Sequence, residues 1–146
     1  MRLHRPLALF LLLAAAAPSF AVDYRSVDTP TVLYDSPSQK GVPLFVIRRG
    51  TPVEAVVVLD GWIKVRDAAG GLAWIDKKSL SDQRTLIVTA NRASVRQAAD
   101  ESSPLVFDAE KGVLLDFVEL VPGGWAKVRH VDGQSGFVRA NQVWGL

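Results

Sequence analysis

The chain gives catalytic chemistry few residues to work with. It holds two histidines, His4 and His130, and no cysteine. A Cys–His nucleophile pair is thereby excluded, and so is a metal centre built on thiolates or several imidazoles. A Ser–His–Asp triad would have to recruit His130. That residue stands next to a turn, where Asp67 stands in an earlier copy of the same motif. The demands of triad geometry favour a solvated turn residue instead. His130-Val131-Asp132 offers two ligands on one turn, short of a metal-binding set. No cofactor and no metal is expected.

The close carboxylate pairs are Asp100-Glu101, Asp108 with Glu110, and Asp116 with Glu119. Glycoside hydrolysis needs two carboxyl groups facing across a cleft, one of them kept protonated by its surroundings. Glu54 and Asp116 sit at equivalent places in two strand-like segments, out of phase with Val53 and Leu115, as solvent-facing residues do. Gly70-Gly71 and Gly123-Gly124 lack the lysine and helix of a phosphate loop. The chain is therefore expected not to be an enzyme.

The aromatic residues are the better lead. Trp62 and Trp125 open equivalent strands, on the face opposite Ile63/Val65 and Ala126/Val128. Each begins a Trp-x-Lys-x-Arg stripe that carries Lys64 and Arg66, or Lys127 and Arg129, on the same face. An exposed indole beside polar side chains suits stacking on a sugar ring or gripping a peptide. The arginines suit carboxylates, or else pair across the strands with Glu54 and Asp116. The competing role for both tryptophans is to brace their own fold, half-buried. Trp74 and Phe137 are expected in the core, and Trp144 in the core or between repeats.

These stripes belong to an internal repeat. GWIKVRDAAGGLAWIDKKSL over 61–80 aligns without a gap to GWAKVRHVDGQSGFVRANQV over 124–143, at a spacing of 63 residues. Earlier in each copy the spacing is 62, with Leu33 facing Val95, Phe45 facing Phe107 and Gly50 facing Gly112. The extra residue is expected before Trp125, where Pro122-Gly123-Gly124 replaces Asp60-Gly61. A repeat of this length is one small folded unit copied in tandem. Strand signals dominate: Val53 to Leu59 is β-branched, Leu114 to Val121 alternates in part, and Ala69-Gly70-Gly71 and Asp132-Gly133-Gln134 are hairpin turns. Pro30, Pro37, Pro43 and Pro104 mark a loop-rich first half of each unit. The units are read as 22–80 and 85–146, joined by 81–84, a joint too short for large independent motion.

The order of a loop-rich segment, a Gly-preceded strand, GW-x-KVR, a tight turn and an aromatic–aliphatic pair (Trp74-Ile75, Phe137-Val138) resembles the bacterial SH3-like domain. The resemblance covers nearly all of 22–146. Gly136-Phe137-Val138 matches the pattern better than Ala73-Trp74-Ile75. It implies an all-β fold of two tandem SH3-like barrels, each five-stranded and partly open. It also implies a groove lined by the strand-opening tryptophan and the first loop. Tyr34 would join Trp62, and Arg96 would join Trp125. The ligand-binding candidates are thus Tyr34, Trp62, Arg66, Trp125 and Arg129. The resemblance further implies a cell-envelope role, contacting peptidoglycan or docking a wall-remodelling enzyme. The alternatives are a periplasmic protein–protein scaffold without wall affinity, working through a strand edge or the cleft between repeats, and a hydrolase.

The N-terminus agrees with such a location. Arg2, His4 and Arg5 precede the apolar run Leu7 to Ala17, and small residues close the segment. This reads as a secretory signal cleaved between Ala21 and Val22. The run is short of the roughly 20 apolar residues a span needs. Arg2 and Arg5 leave with the signal, and the remaining 15 Lys+Arg balance 15 Asp+Glu. Nucleic acid is not an expected partner, since no dense basic patch exists. A periplasmic or secreted protein with no membrane span in its mature part is expected.

Overall fold

The computed structural model describes residues 21–146. The expected signal over 1–21 lies outside these residues, except for Ala21. Within them the chain is all-β, apart from two one-turn 3-10 segments. The first unit holds β1 (Tyr24–Val27), β2 (Thr31–Tyr34), β3 (Pro43–Ile47), β4 (Pro52–Leu59), β5 (Trp62–Arg66), β6 (Leu72–Asp76), a 3-10 turn (Lys77–Ser79) and β7 (Leu80–Ser81). The second repeats this order: β8 (Thr85–Val88), β9 (Arg92–Arg96), β10 (Leu105–Glu110), β11 (Leu114–Val121), β12 (Trp125–Arg129), β13 (Ser135–Arg139), a 3-10 turn (Ala140–Gln142) and β14 (Val143–Trp144).

Each unit is one antiparallel seven-stranded sheet, ordered β3-β2-β6-β5-β4-β1-β7 and β10-β9-β13-β12-β11-β8-β14. The count exceeds the expected five because the loop-rich first half is itself a hairpin, β2–β3 or β9–β10, and a two-residue strand closes each unit. One face of each sheet is dry. In the first unit Val27, Leu33, Ile47, Val53, Ile63, Val65, Ala73 and Ile75 form a single cluster. Ile47 from one edge of the sheet and Val27 from near the other share that cluster, so the sheet curls round its own core as a small barrel.

Two irregularities make the curl. β4 slips register against β5 between Ala55 and Val57, and β11 slips against β12 between Phe117 and Glu119. These bulges fall at equivalent positions, 62 residues apart, and bend each long strand so that its first half pairs with β1 or β8. The change of spacing therefore falls after β4 and β11, in the turn before the tryptophan, as expected. There the second unit takes its extra residue as a second glycine with positive φ, Gly123 at 89° and Gly124 at 83°, against Gly61 alone at 77°.

The units are fastened to each other. Thr85 Oγ1 donates to the Gly50 carbonyl at 2.7 Å, and the Arg48 guanidinium donates to the Gly112 carbonyl. Gly50 and Gly112 are repeat equivalents, so each unit's turn serves the other unit. On a second contact Tyr24 meets Trp144 edge to face. Arg84 lies over the rings of Tyr24 and Phe117 at 5.3 and 5.2 Å and donates to the Gly145 carbonyl at 2.6 Å. Trp144 thus packs between repeats, one of its two expected places. A cleft of about 690 Å³ remains between the units, lined among others by Asp28, Arg49, Asp116 and His130.

Candidate functional site

The outer face of the first unit is built by alternation on β5. Ile63 and Val65 are fully buried, so Trp62, Lys64 and Arg66 must point outward. Antiparallel register then sets their neighbours: Trp62 opposite Asp76, Lys64 opposite Trp74, and Trp74 opposite Tyr34 on β2. Tyr34 and Trp62 meet edge to face, with centroids 5.9 Å apart and planes at 81°. The pair expected from the sequence is formed. Behind Tyr34, Asp35 closes the loop to β3 by accepting from the Val42 amide through Oδ1 at 2.8 Å and donating its own amide to the Val42 carbonyl. The phenol is thus carried on a braced turn.

Trp74 corrects an expectation. It is half-buried on this outer face, out of phase with buried Ala73 and Ile75, and not in the core. The alternation that placed Trp62 would have placed Trp74 too. Phe137 in the second unit is likewise half-buried on the outer face, opposite Lys127 and Arg96. Arg66 belongs to the first unit's surface in a different sense. Its Nη1 lies 2.9 Å from Glu54 Oε2, its register partner on β4, so the cross-strand role prevails over a free ligand contact.

The second unit departs at the equivalent place. Trp125 lies on the outer face by register, yet it is only 4% exposed. The expectation of an open groove there is overturned. The cause is Arg139, opposite Trp125 on β13, whose guanidinium lies 4.3 Å over the indole. Arg139 donates from Nε to Glu101 Oε1 at 2.9 Å, holds the same oxygen from Nη2 at 2.9 Å, and reaches the Gly123 carbonyl from Nη1 at 3.3 Å. Arg96, the expected partner of Trp125, instead donates to the Ser103 carbonyl at 2.9 Å. Arg129 is exposed and lies opposite Asp116 in register, but among the described residues it enters no ion pair.

The family model for the bacterial SH3 domain matches residues 27–82 and again 89–145. The chain belongs to the bacterial SH3 domain family, in two tandem copies. No curated protein resembles it closely enough to count as a match. Among solved structures it is similar to NlpC1 from Trichomonas vaginalis, with 15% identity, a TM-score of 0.40, and coverage of 93% of this chain and 50% of that one. NlpC2 from Trichomonas vaginalis shares 13% identity at a TM-score of 0.39, over 86% and 49% of the two chains. An NlpC/P60 family protein from Bacillus cereus ATCC 10987 shares 14% at 0.37, over 83% and 55%. The chain spans about half the length of these structures.

The other chemical candidates fall elsewhere on the two SH3 domains. His130 is not the solvated turn residue expected. Its side chain is 29% exposed, packs on Phe107 at 5.6 Å between centroids, and lines the cleft between the domains. Its Nδ1 lies 3.2 Å from Asp132 Oδ1, off the line of a hydrogen bond. Asp132 is exposed, and the Gln134 amide first, then His130, holds its carboxyl below the usual range. Among the described residues no group of three or more His, Cys, Asp or Glu is placed to hold a metal ion. No described helix is long and apolar enough to cross a membrane.

Proposed function

We propose that this tandem SH3 protein is a non-catalytic binding module of the cell envelope, exported by its N-terminal signal, and that it contacts peptidoglycan through the outer face of its first domain. The observation that carries this reading is the Tyr34–Trp62 pair, 5.9 Å apart, half-buried and on the face away from the core. Two rings at nearly a right angle make a corner, with Trp74 and Lys64 beside it. Such a corner takes the apolar face of a sugar or a peptide side chain while the lysine meets an anionic group. Arg66 shapes this face from its pair with Glu54 and does not reach for ligand.

Co-sedimentation of residues 22–146 with purified peptidoglycan tests the reading. Binding by the parent that is lost in a folded Trp62→Ala variant supports it. A parent that stays in the supernatant overturns it.

One observation favours a second reading, a scaffold that holds a periplasmic protein. β3 is an edge strand without a charged residue, and Leu44, Phe45 and Val46 are exposed on it. Its counterpart β10 carries Asp108 and Glu110, which blunt such an edge. A partner that adds a strand to β3 would depend on Val46 and not on Trp62. Envelope capture that survives Trp62→Ala but fails in Val46→Lys would favour this reading over the first.

A further inference from the structure

We propose that the second SH3 domain is a carboxylate-recognition site, formed by Arg139 on the Trp125 ring, and that Glu101 occupies it from within the chain. The inference rests on the reading of the protein as a binding module and gives the second domain a ligand class different from the first.

The guanidinium of Arg139 is held in one plane and one orientation. Trp125 lies under it at 4.3 Å, and the Gly123 carbonyl takes Nη1. That leaves the Nε/Nη2 edge, two donors side by side in the geometry that fits a carboxylate. Glu101 meets this edge with a single oxygen, at 2.9 Å from each donor, and so falls short of a parallel two-oxygen fork. Its side chain is 67% exposed, on the loop between β9 and β10, and an exposed ion pair of this kind is held weakly. Beside the pair lies a depression of about 500 Å³ lined by Gly124, Asn141 and Gln142 together with Glu101 and Arg139. An external carboxylate entering there can displace Glu101 without disturbing the core, because Arg139 keeps its ring and its carbonyl.

The first domain shows what the position does when it is not a cation. The equivalent of Arg139 is Asp76, whose carboxylate accepts from the Lys78 amide at 2.9 Å and caps the 3-10 turn. At equivalent places one domain presents an anion beside an open indole, and the other a cation over a covered one. At this position a carboxylate meets an anion in the first domain and a cation in the second, and the first domain's own cation, Lys64, stands in the register pair beside it.

The chemistry has two sources, an acidic peptide and an acidic sugar, and the test separates them. Nitrogen-15-labelled protein is titrated with N-acetyl-alanyl-glutamate amide and with N-acetylmuramic acid. The neutral controls are N-acetyl-alanyl-glutamine amide and N-acetylglucosamine. The Arg139 Nε–H and Trp125 Nε1–H resonances are followed. Saturable shifts with either carboxylate and not with its control are the expected result, and the responding arm names the source. Glu101→Gln, an exposed change that leaves the fold intact, tightens binding by about fivefold, the size of an exposed ion pair. Arg139→Lys keeps the charge and loses the fork, and weakens binding. Absence of a saturable shift with both carboxylates, in parent and Glu101→Gln alike, overturns the proposal and leaves Arg139 as a structural cover for Trp125. Equal response to the neutral controls overturns it too. The part of sedimentation with peptidoglycan that is lost in Trp62→Ala reports on the first domain, so Trp62-dependent wall binding without these shifts sinks this inference alone, and shifts without any Trp62-dependent wall binding sink the other.

Discussion

Tyr24 and Trp144 meet edge to face with ring centroids 5.1 Å apart, and so join the first strand of one SH3 domain to the last strand of the other. Arg84, three residues after β7, lies over the Tyr24 ring and donates to the Gly145 carbonyl. The joint between the domains is thus a packed element. The Thr85–Gly50 and Arg48–Gly112 hydrogen bonds close it from another side.

The domains should therefore unfold together. Trp144→Ala removes the aromatic contact and half-buried area, and is expected to cost about 2–3 kcal/mol, the lower part of the range for large-to-small substitution. Calorimetry of the parent should show one transition and the variant two. A variant that melts once, at the parent's midpoint, would show that the contact couples nothing.

Tyr24 also gives the junction a dependence on pH. Burial first, and the Glu54 carboxylate next, raise its phenol above the ordinary value of 10.0, against the lowering influence of Arg84 and Arg66. The unfolded phenol ionises at about 10. Below that pH the contribution to stability is complete. Above it the unfolded state ionises first, and the contribution is lost as pH rises through the folded value. As pH rises above about 10, denaturation midpoints of the parent should fall by more than those of Tyr24→Phe. Parallel curves would contradict the shift.

Much of this architecture was legible in the repeat. The gapless match of GW-x-KVR placed β5 and β12 and their facing, and the change in spacing located the extra turn glycine. The rest is obscured in the sequence for two reasons. Pro37, Pro43 and the serines hide the β2–β3 hairpin, because Pro37 lies in its loop and Pro43 opens β3, an edge strand that tolerates proline. Residue type puts Trp74 and Phe137 in the core, whereas their alternation with Ala73/Ile75 and Gly136/Val138 puts them outside. The cover over Trp125 was not legible at all. It needs Arg139 across a strand pair and Glu101 from 38 residues away, a meeting that only the folded hairpins bring about.

Gly136 is held by a close approach. A Cβ there would lie 2.5 Å from the Arg96 carbonyl oxygen and 2.7 Å from Val95 Cγ1. The first domain has Ala73 at this place, buried within its core cluster. Gly136→Ala forces β9 away from β13 and should cost about 1–3 kcal/mol, as overpacking does. Urea unfolding of the variant measures it, and an unchanged midpoint would mean that β9 moves freely.

Arg66 should matter little to binding. Its guanidinium is engaged by Glu54 at 2.9 Å, and both side chains retain solvent contact. Arg66→Ala is expected to cost at most about 1 kcal/mol in stability and to leave sedimentation with peptidoglycan unchanged. Loss of binding in a variant of full stability would return Arg66 to the ligand face.

The two strand-opening tryptophans should separate by experiment. Trp125 lies under Arg139 and is nearly solvent-free, whereas Trp62 keeps an accessible edge beside Tyr34. Trp125→Ala should cost about 3–5 kcal/mol, as for a buried aromatic. Trp62→Ala gives up only half-buried area, about 1–2 kcal/mol. Acrylamide quenching of single-tryptophan variants, with phenylalanine at the other three positions, adds a readout that stability alone does not give. The Trp62 variant should quench readily and the Trp125 variant weakly. Glu101→Gln, which leaves Arg139 on the ring and on the Gly123 carbonyl, should change quenching of Trp125 little, whereas Arg139→Ala should raise it and leave Trp62 unaffected. Equal quenching of both indoles would mean that Arg139 does not hold its place over the ring in solution, and the two SH3 faces would then be alike.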